Sequence, residues 1–435
     1  MSKQYVFWRT QKGEPYKINN GKYAPSALLE QLGKSQIDNS IENGFSWHLF
    51  DLPNFEFIVC SMMVILDPDG NELNETDTKF IGQKAIRSIR EKQDNRSKID
   101  PNKLIQTANK EAAKYFRNSI NEYILITSLS VNELPLRLIN VNNCQISEIK
   151  KSDKFNYPES LRDSFNESLL RNHLTSTNYL RVKVKTSGRS IFEASEKALE
   201  SLSFLRGLWT LFGTINKKTK RFSSKKEEPI GVISIGPVHT LHHPDGSSAT
   251  DLFWYEPGYL RDAPIFKPSN GWEGIKKEQQ IAIRKLKKHP FGSIVERLIM
   301  RYAEALDQSN LDQAFLQMWS ILENITDTIG ANYDKTIERA VWLYKDRNVA
   351  KEKLEFLRFR RNQYVHSAKT SLEGDVVAYL MKHFIDSHLR RLIFNEMKVS
   401  SIAEYGNFLS LSTSIASLER SRQKINYALR LRKSN

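Results

Sequence analysis

The sequence predicts an α+β chain, with strands and helices mixed in the N-terminal half and an all-α C-terminal portion. Three observations predict it. Leu180-Arg181-Val182-Lys183-Val184-Lys185 alternates apolar and basic residues, as a half-buried strand does. Ser190-Ile191-Phe192-Glu193 follows as a capping-box sequence, with Ala194, Ala198, Leu202 and Leu205 behind it at helical steps. From Phe291 onward helical periodicity runs almost without Gly or Pro. At roughly 100–200 residues per domain, 435 residues suggest two or three domains.

Each element follows in turn. Tyr5 to Trp8 reads as a short strand, and Trp47 to Leu66 as two more, separated by Asp51-Leu52-Pro53-Asn54. Asp67-Pro68-Asp69-Gly70 stops them with turn chemistry. A helix is expected from about Asp77 to Lys92. A second begins at Asp100-Pro101, where Asp caps and Pro fits the first helical position, and ends before Asn118. Tyr123 to Ile126 and Leu136 to Val141 join Leu180 to Lys185 as a second strand set, and the helix from Ser190 should end near Phe212-Gly213. Residues 214 to about 229 hold five lysines and one arginine and read as a charged linker. The prolines between there and Pro290 are expected to forbid long helices. Gly330, Gly374 and Gly406 should divide the remainder into helices. The expected organisation is an α+β regulatory or sensor region at 1–213 and a basic, turn-rich connection at 214–289. A helical bundle at 290–398 and a basic helical tail at 399–435 follow.

Composition excludes several classes. Two cysteines, Cys60 and Cys144, rule out a disulfide scaffold and a multi-cysteine zinc module. The longest uncharged apolar run, Phe57 to Leu66, is far short of the ~20 residues of a membrane span. No apolar signal core follows Met1, so a cytoplasmic location without a membrane partner is expected. Lys and Arg number 65 against 50 Asp and Glu, a net charge of +15. Such an excess attracts polyanions, nucleic acid above all, although it also serves solubility. Basic residues cluster at 217–221, 284–288, 358–361 and again in the tail from Arg420.

Familiar catalytic motifs fail. Gly33-Lys34-Ser35 lacks the first glycine of a phosphate loop, since Leu28 stands there. His239, His242 and His243, with Asp245, could hold zinc, but the spacing fits no established pattern and packing in a turn is the stronger reading. The informative stretch is Leu357 to His366. On a helix, Asn362 and His366 share a face, and the Arg361 side chain can reach the same patch. An imidazole moves a proton near neutrality, a guanidinium binds phosphate bidentately, and an amide fixes an oxygen. Together they suit phosphodiester chemistry. On spacing alone, a basic helix end with an incidental histidine remains the alternative.

Arg361-Asn362-Gln363-Tyr364-Val365-His366 resembles the R-N-x-x-x-H signature of the HEPN superfamily. Phe315, Trp319, Leu322 and Glu323 resemble the aromatic-plus-Leu-Glu helix of the ApeA-like HEPN proteins of bacterial anti-phage defence. The resemblance covers roughly residues 290 to 398. It implies a helical bundle and a metal-independent, cofactor-free endoribonuclease that works as a homodimer, with both motifs in one cleft. By position, Arg361 would grip the scissile phosphate and Asn362 would position groups around it. His366 would move the proton as the ribose 2′-hydroxyl attacks, leaving a 2′,3′-cyclic phosphate. Glu323 would support the site by orienting Arg361 or His366, or would simply lie at a helix surface. The region before the bundle would restrain the nuclease until a trigger arrives. A non-catalytic HEPN-like scaffold or nucleic-acid-binding module is the competing class, with Arg361 paired to an acid such as Glu355. A DNA-binding regulator lacks a helix-turn-helix signature.

Overall fold

The computed structural model describes residues 3–9, 15–16, 24–34, 56–92, 99–164, 178–213, 229–256, 263–268, 271–330, 332–367 and 374–433. The expected strand at Trp47 and the linker at 214–228 lie outside them. The chain divides into two units. One comprises Met1–Ile124, Lys185–Ala198 and His243–Asp245, and the other comprises Leu125–Val184, Leu199–His242 and Gly246–Asn435.

In the first unit, β1 (Val6–Arg9) lies between β2 (Pro15–Tyr16) and β3 (Met63–Ile65), antiparallel to both. The described helices of this unit include α1 (Ser26–Lys34), α2 (Glu75–Arg90) and α3 (Pro101–Arg117). Trp8, Met63, Ile81, Ile86, Leu104 and Ala108 form one buried cluster. The run Phe57 to Leu66 is not a single strand, because residues 56–61 are helical and only Met63–Ile65 pairs with β1. An apolar run this short has no period that separates helix from strand. Both α2 and α3 arise as the sequence predicts. The Asp100 side chain caps α3 by accepting from the Asn102 amide, with Pro101 in the first turn. Asp77, 1% exposed, accepts from the hydroxyls of Tyr115 at 3.0 Å and Ser190 at 2.7 Å. These bonds satisfy a carboxylate that burial alone would penalise.

The long helix α5, Ile191–Gly213, starts from the expected cap. The Ser190 hydroxyl accepts from the Glu193 amide, while the Glu193 carboxylate reaches the Arg189 amide, one residue further back than a standard capping box. Ahead of it lie β4 (Asn121–Leu129), β5 (Ile139–Val141), β6 (Cys144–Glu148), α4 (Glu159–Ser164) and β7 (Leu180–Gly188). Together with β8 (Val238–His242) and β9 (Ser248–Tyr255) these strands form a sheet in the order β5-β6-β7-β4-β8-β9. Asn142 and Asn143 both have positive φ, 47° and 59°, the two-residue turn that closes β5 on β6.

Beyond Gly271 the described chain has no strand. It contains α6 (Gly271–Lys287), α7 (Gly292–Asp307), α8 (Leu311–Ile325), α9 (Tyr333–Val341) and α10 (Arg347–Ser367). Then follow α11 (Gly374–Phe394), α12 (Ile402–Phe408) and α13 (Ile415–Lys433). α+β character with a helical C-terminal region is thus established. Helix α6 corrects the expectation that prolines exclude long helices before Pro290. The last proline before it is Pro268, so nothing interrupts its 17 residues. Helix α8 packs against both α7 and α11, and Phe315, Trp319 and Leu322 face the core as their spacing predicts. Gly406 is not a helix break. It lies inside α12, where a Cβ would meet the Arg339 guanidinium at 2.5 Å.

The second half of α5 belongs to the same unit as these helices, so the division runs differently from a boundary at 213. A Cβ on Gly207 would meet Ile299 at 2.6 Å, which lets α5 and α7 approach backbone to side chain. Beside it the Arg206 guanidinium holds both Asp307 oxygens, at 2.9 and 2.6 Å, and donates to the Ile233 carbonyl.

His388 on α11 is fully buried. Its Nε2–H donates to the Ala340 carbonyl at 3.0 Å, and its Nδ1 accepts from the Tyr405 hydroxyl at 2.9 Å. Burial, with the Arg391 charge adding, holds its pKa down to about 4. The unfolded chain binds this proton near pH 6.5, so stability is complete above that value and falls as pH drops toward 4. His239, held down to about 3, acts with the same sign. The urea midpoint should therefore fall between pH 7 and pH 5, His388 alone contributing on the order of 2 kcal/mol at pH 5. In His388→Gln the pH dependence should flatten; an unchanged slope would refute this origin.

Candidate functional site

The site is built from α8, α9 and the C-terminal turns of α10. Helix α10 is anchored by Leu354 and Leu357, both fully buried, which turn its 358–362 stretch toward the edge of the bundle. The turn between α8 and α9 is fixed by a chain of hydroxyls, Thr326 to Thr328 at 2.9 Å and Thr328 to Thr336 at 2.6 Å. The Arg339 guanidinium closes the same turn on the carbonyls of Thr326 and Asp327. Asn332 then caps α9 by accepting from the Lys335 amide, which presents Tyr333 at the first helical position.

Tyr333 is the residue that the sequence reading missed. The Arg361 guanidinium sits 4.9 Å from its ring centroid, a cation–π contact. The same ring meets the Trp319 ring edge-on at 6.0 Å. Trp319 in turn donates its indole N–H to Glu323 Oε1 at 2.9 Å. Burial pushes the Glu323 carboxyl above its usual range, while the Trp319 N–H and the Arg361 charge pull it back. Glu323 is half-buried, its Oε1 held by the Trp319 N–H on its own helix.

Asn362 adjoins Arg361 and accepts a weak 3.4 Å hydrogen bond from its Nη1. The helix continues to Ser367, so its backbone carries His366 one turn beyond Asn362. The His366 side chain lies outside the described residues. Glu355, the acid considered as a partner for Arg361, pairs instead with Arg358 at 2.6 Å, and Arg358 also takes Asp334 at 2.6 Å.

The histidines at 239–243 are occupied locally. His239 Nδ1 meets the Thr127 hydroxyl at 2.7 Å, and His242 Nε2 meets the Thr240 hydroxyl at 2.8 Å. His243 packs on the Tyr123 ring. Among the described residues no group of three or more His, Cys, Asp or Glu is arranged to hold a metal ion. No described helix is long and apolar enough to cross a membrane. Cys60 is buried against Gly82, and burial raises its thiol pKa to about 12, which removes it as a nucleophile. No family model, curated protein or solved structure matches the chain.

Proposed function

We propose that the chain is a metal-independent endoribonuclease of the HEPN type, an effector of anti-phage defence restrained by the region before its helical bundle. The observation that carries this reading is Arg361 held against the Tyr333 ring beside Asn362, with His366 one turn further along the same helix. The cation–π contact with Tyr333 holds the Arg361 guanidinium in place, and its planar N–H donors suit the grip of a phosphate. Asn362 orients an oxygen of the same group. His366 takes the proton from the 2′-hydroxyl as that oxygen attacks phosphorus, the bond to the 5′-oxygen breaks, and a 2′,3′-cyclic phosphate forms. The partner motif of a two-fold dimer supplies the proton to the leaving 5′-oxygen. Exposed Phe359, two residues before the motif, and exposed Val365 within it favour such pairing along α10. In the competing scaffold reading the motif would serve structure, with Arg361 paired to an acid; Glu355, the acid named for that role, is engaged by Arg358.

The test uses an oligoribonucleotide with a 2′-deoxyribose at one cut site. Cleavage should vanish at that bond alone, EDTA should leave the rate unchanged, and products should end in cyclic phosphate. Cleavage of DNA, or a rate abolished by EDTA, would overturn the mechanism.

A further inference from the structure

We propose that a cleft beside α9 binds the single-stranded RNA that flanks the scissile phosphate, a substrate-binding site separate from the R-N-x-x-x-H cluster. The inference rests on the ribonuclease reading for its substrate class. The cleft encloses about 580 Å³ between α9, the first turns of α10 and residues 409–413. That volume lies within the range of built ligand sites. Lys335, Arg347 and Lys351 line it, all exposed, and among the described residues none of the three has an ion pair. Nearby cations are already engaged: Arg358 by Asp334 and Glu355, and Arg339 by two carbonyls and the Ser410 hydroxyl. Four cations in the lining, Lys335, Arg339, Arg347 and Lys351, face two acids, Asp334 and Glu338, which leaves the cleft positive.

Trp342 provides an aromatic wall. Its indole N–H is fixed by the Leu411 carbonyl at 2.9 Å, and its ring packs on Phe408 with centroids 4.7 Å apart. Cations that track a backbone beside an aromatic surface suited to stacked bases are how proteins hold single-stranded nucleic acid. The geometry also connects the cleft to the motif. Arg347, Lys351, Arg358 and Asn362 recur along α10 at steps of four, seven and four, which places them on one side of the helix. Lys351 and Asn362 are eleven residues apart, about 17 Å at ~1.5 Å per residue. Asp334 lines the cleft and at the same time binds Arg358, one turn before Asn362.

Fluorescence anisotropy on the full chain tests this with a single-stranded oligonucleotide of about 12 residues, 2′-O-methylated throughout so that it cannot be cut. Arg347→Ala/Lys351→Ala should weaken binding about tenfold and reduce the slope of log K against log salt by about 1.4. Lys285→Ala/Lys287→Ala removes the same charge from exposed positions on α6 and should change affinity less than twofold. Equal losses in the two double variants would mean bulk charge and overturn the cleft. The readout does not depend on cleavage. A wild type that binds through the cleft yet cuts no RNA would sink the ribonuclease reading alone. One that cuts RNA with affinity unchanged by Arg347→Ala/Lys351→Ala would sink the cleft alone.

Discussion

His366→Ala is expected to abolish RNA cleavage, a loss of about 10²–10⁴-fold in rate constant, while the protein stays folded. The loss follows from removing the only imidazole of the motif, the group proposed to carry the proton. Folding should survive because residue 366 falls in the last turn of α10, before Ser367, where alanine favours the helix more than histidine does. Circular dichroism and the urea midpoint check the fold, and single-turnover cleavage of a labelled RNA checks the rate. Arg361→Lys should also be severely impaired, because lysine keeps the charge but loses the planar fork that binds phosphate through two donors. Activity surviving in His366→Ala would remove the proposed mechanism altogether.

Asp307→Ala should cost about 3–5 kcal/mol of stability, a large share of the ~5–15 kcal/mol typical of a folded protein. The Arg206 guanidinium is 2% exposed, and losing the carboxylate would leave its charge buried without the two-oxygen partner that now faces it. The cost lies in leaving one partner alone rather than in losing an attraction. Arg206→Met/Asp307→Leu, which removes both charges and keeps apolar volume, should therefore recover much of the stability. Urea unfolding of the three proteins decides it. A double variant less stable than Asp307→Ala would show that the pair itself is strongly favourable.

Local signals carried much of the fold. Asp100-Pro101 and Ser190 marked helix starts because capping chemistry is contained within four residues. Phe315, Trp319 and Leu322 announced a core face because their partners sit on the same helix at its own period. Helix α6 is obscured by the proline density of the 229–290 segment as a whole, although no proline falls between Pro268 and Pro290. Gly406 looked like punctuation because its reason, the close Arg339 guanidinium, lies 67 positions earlier in the chain. The candidate site divides the same way. Arg361, Asn362 and His366 are legible as neighbours on one helix. Tyr333 is not, since its contact with Arg361 spans 28 residues and depends on the hydroxyl chain that shapes the turn ahead of α9.

The close approach of Gly207 to Ile299 bears on how such a chain can be inherited. A recombination event with its crossover at position 213 would join the helical region of one lineage to α5 of another. Any residue larger than glycine arriving at 207 would collide with Ile299, whose side chain and carbonyl both stand 2.6 Å from the missing Cβ. A crossover anywhere before residue 207 preserves this contact, so the turns of α5 from Gly207 onward should travel with the helical region as one heritable block.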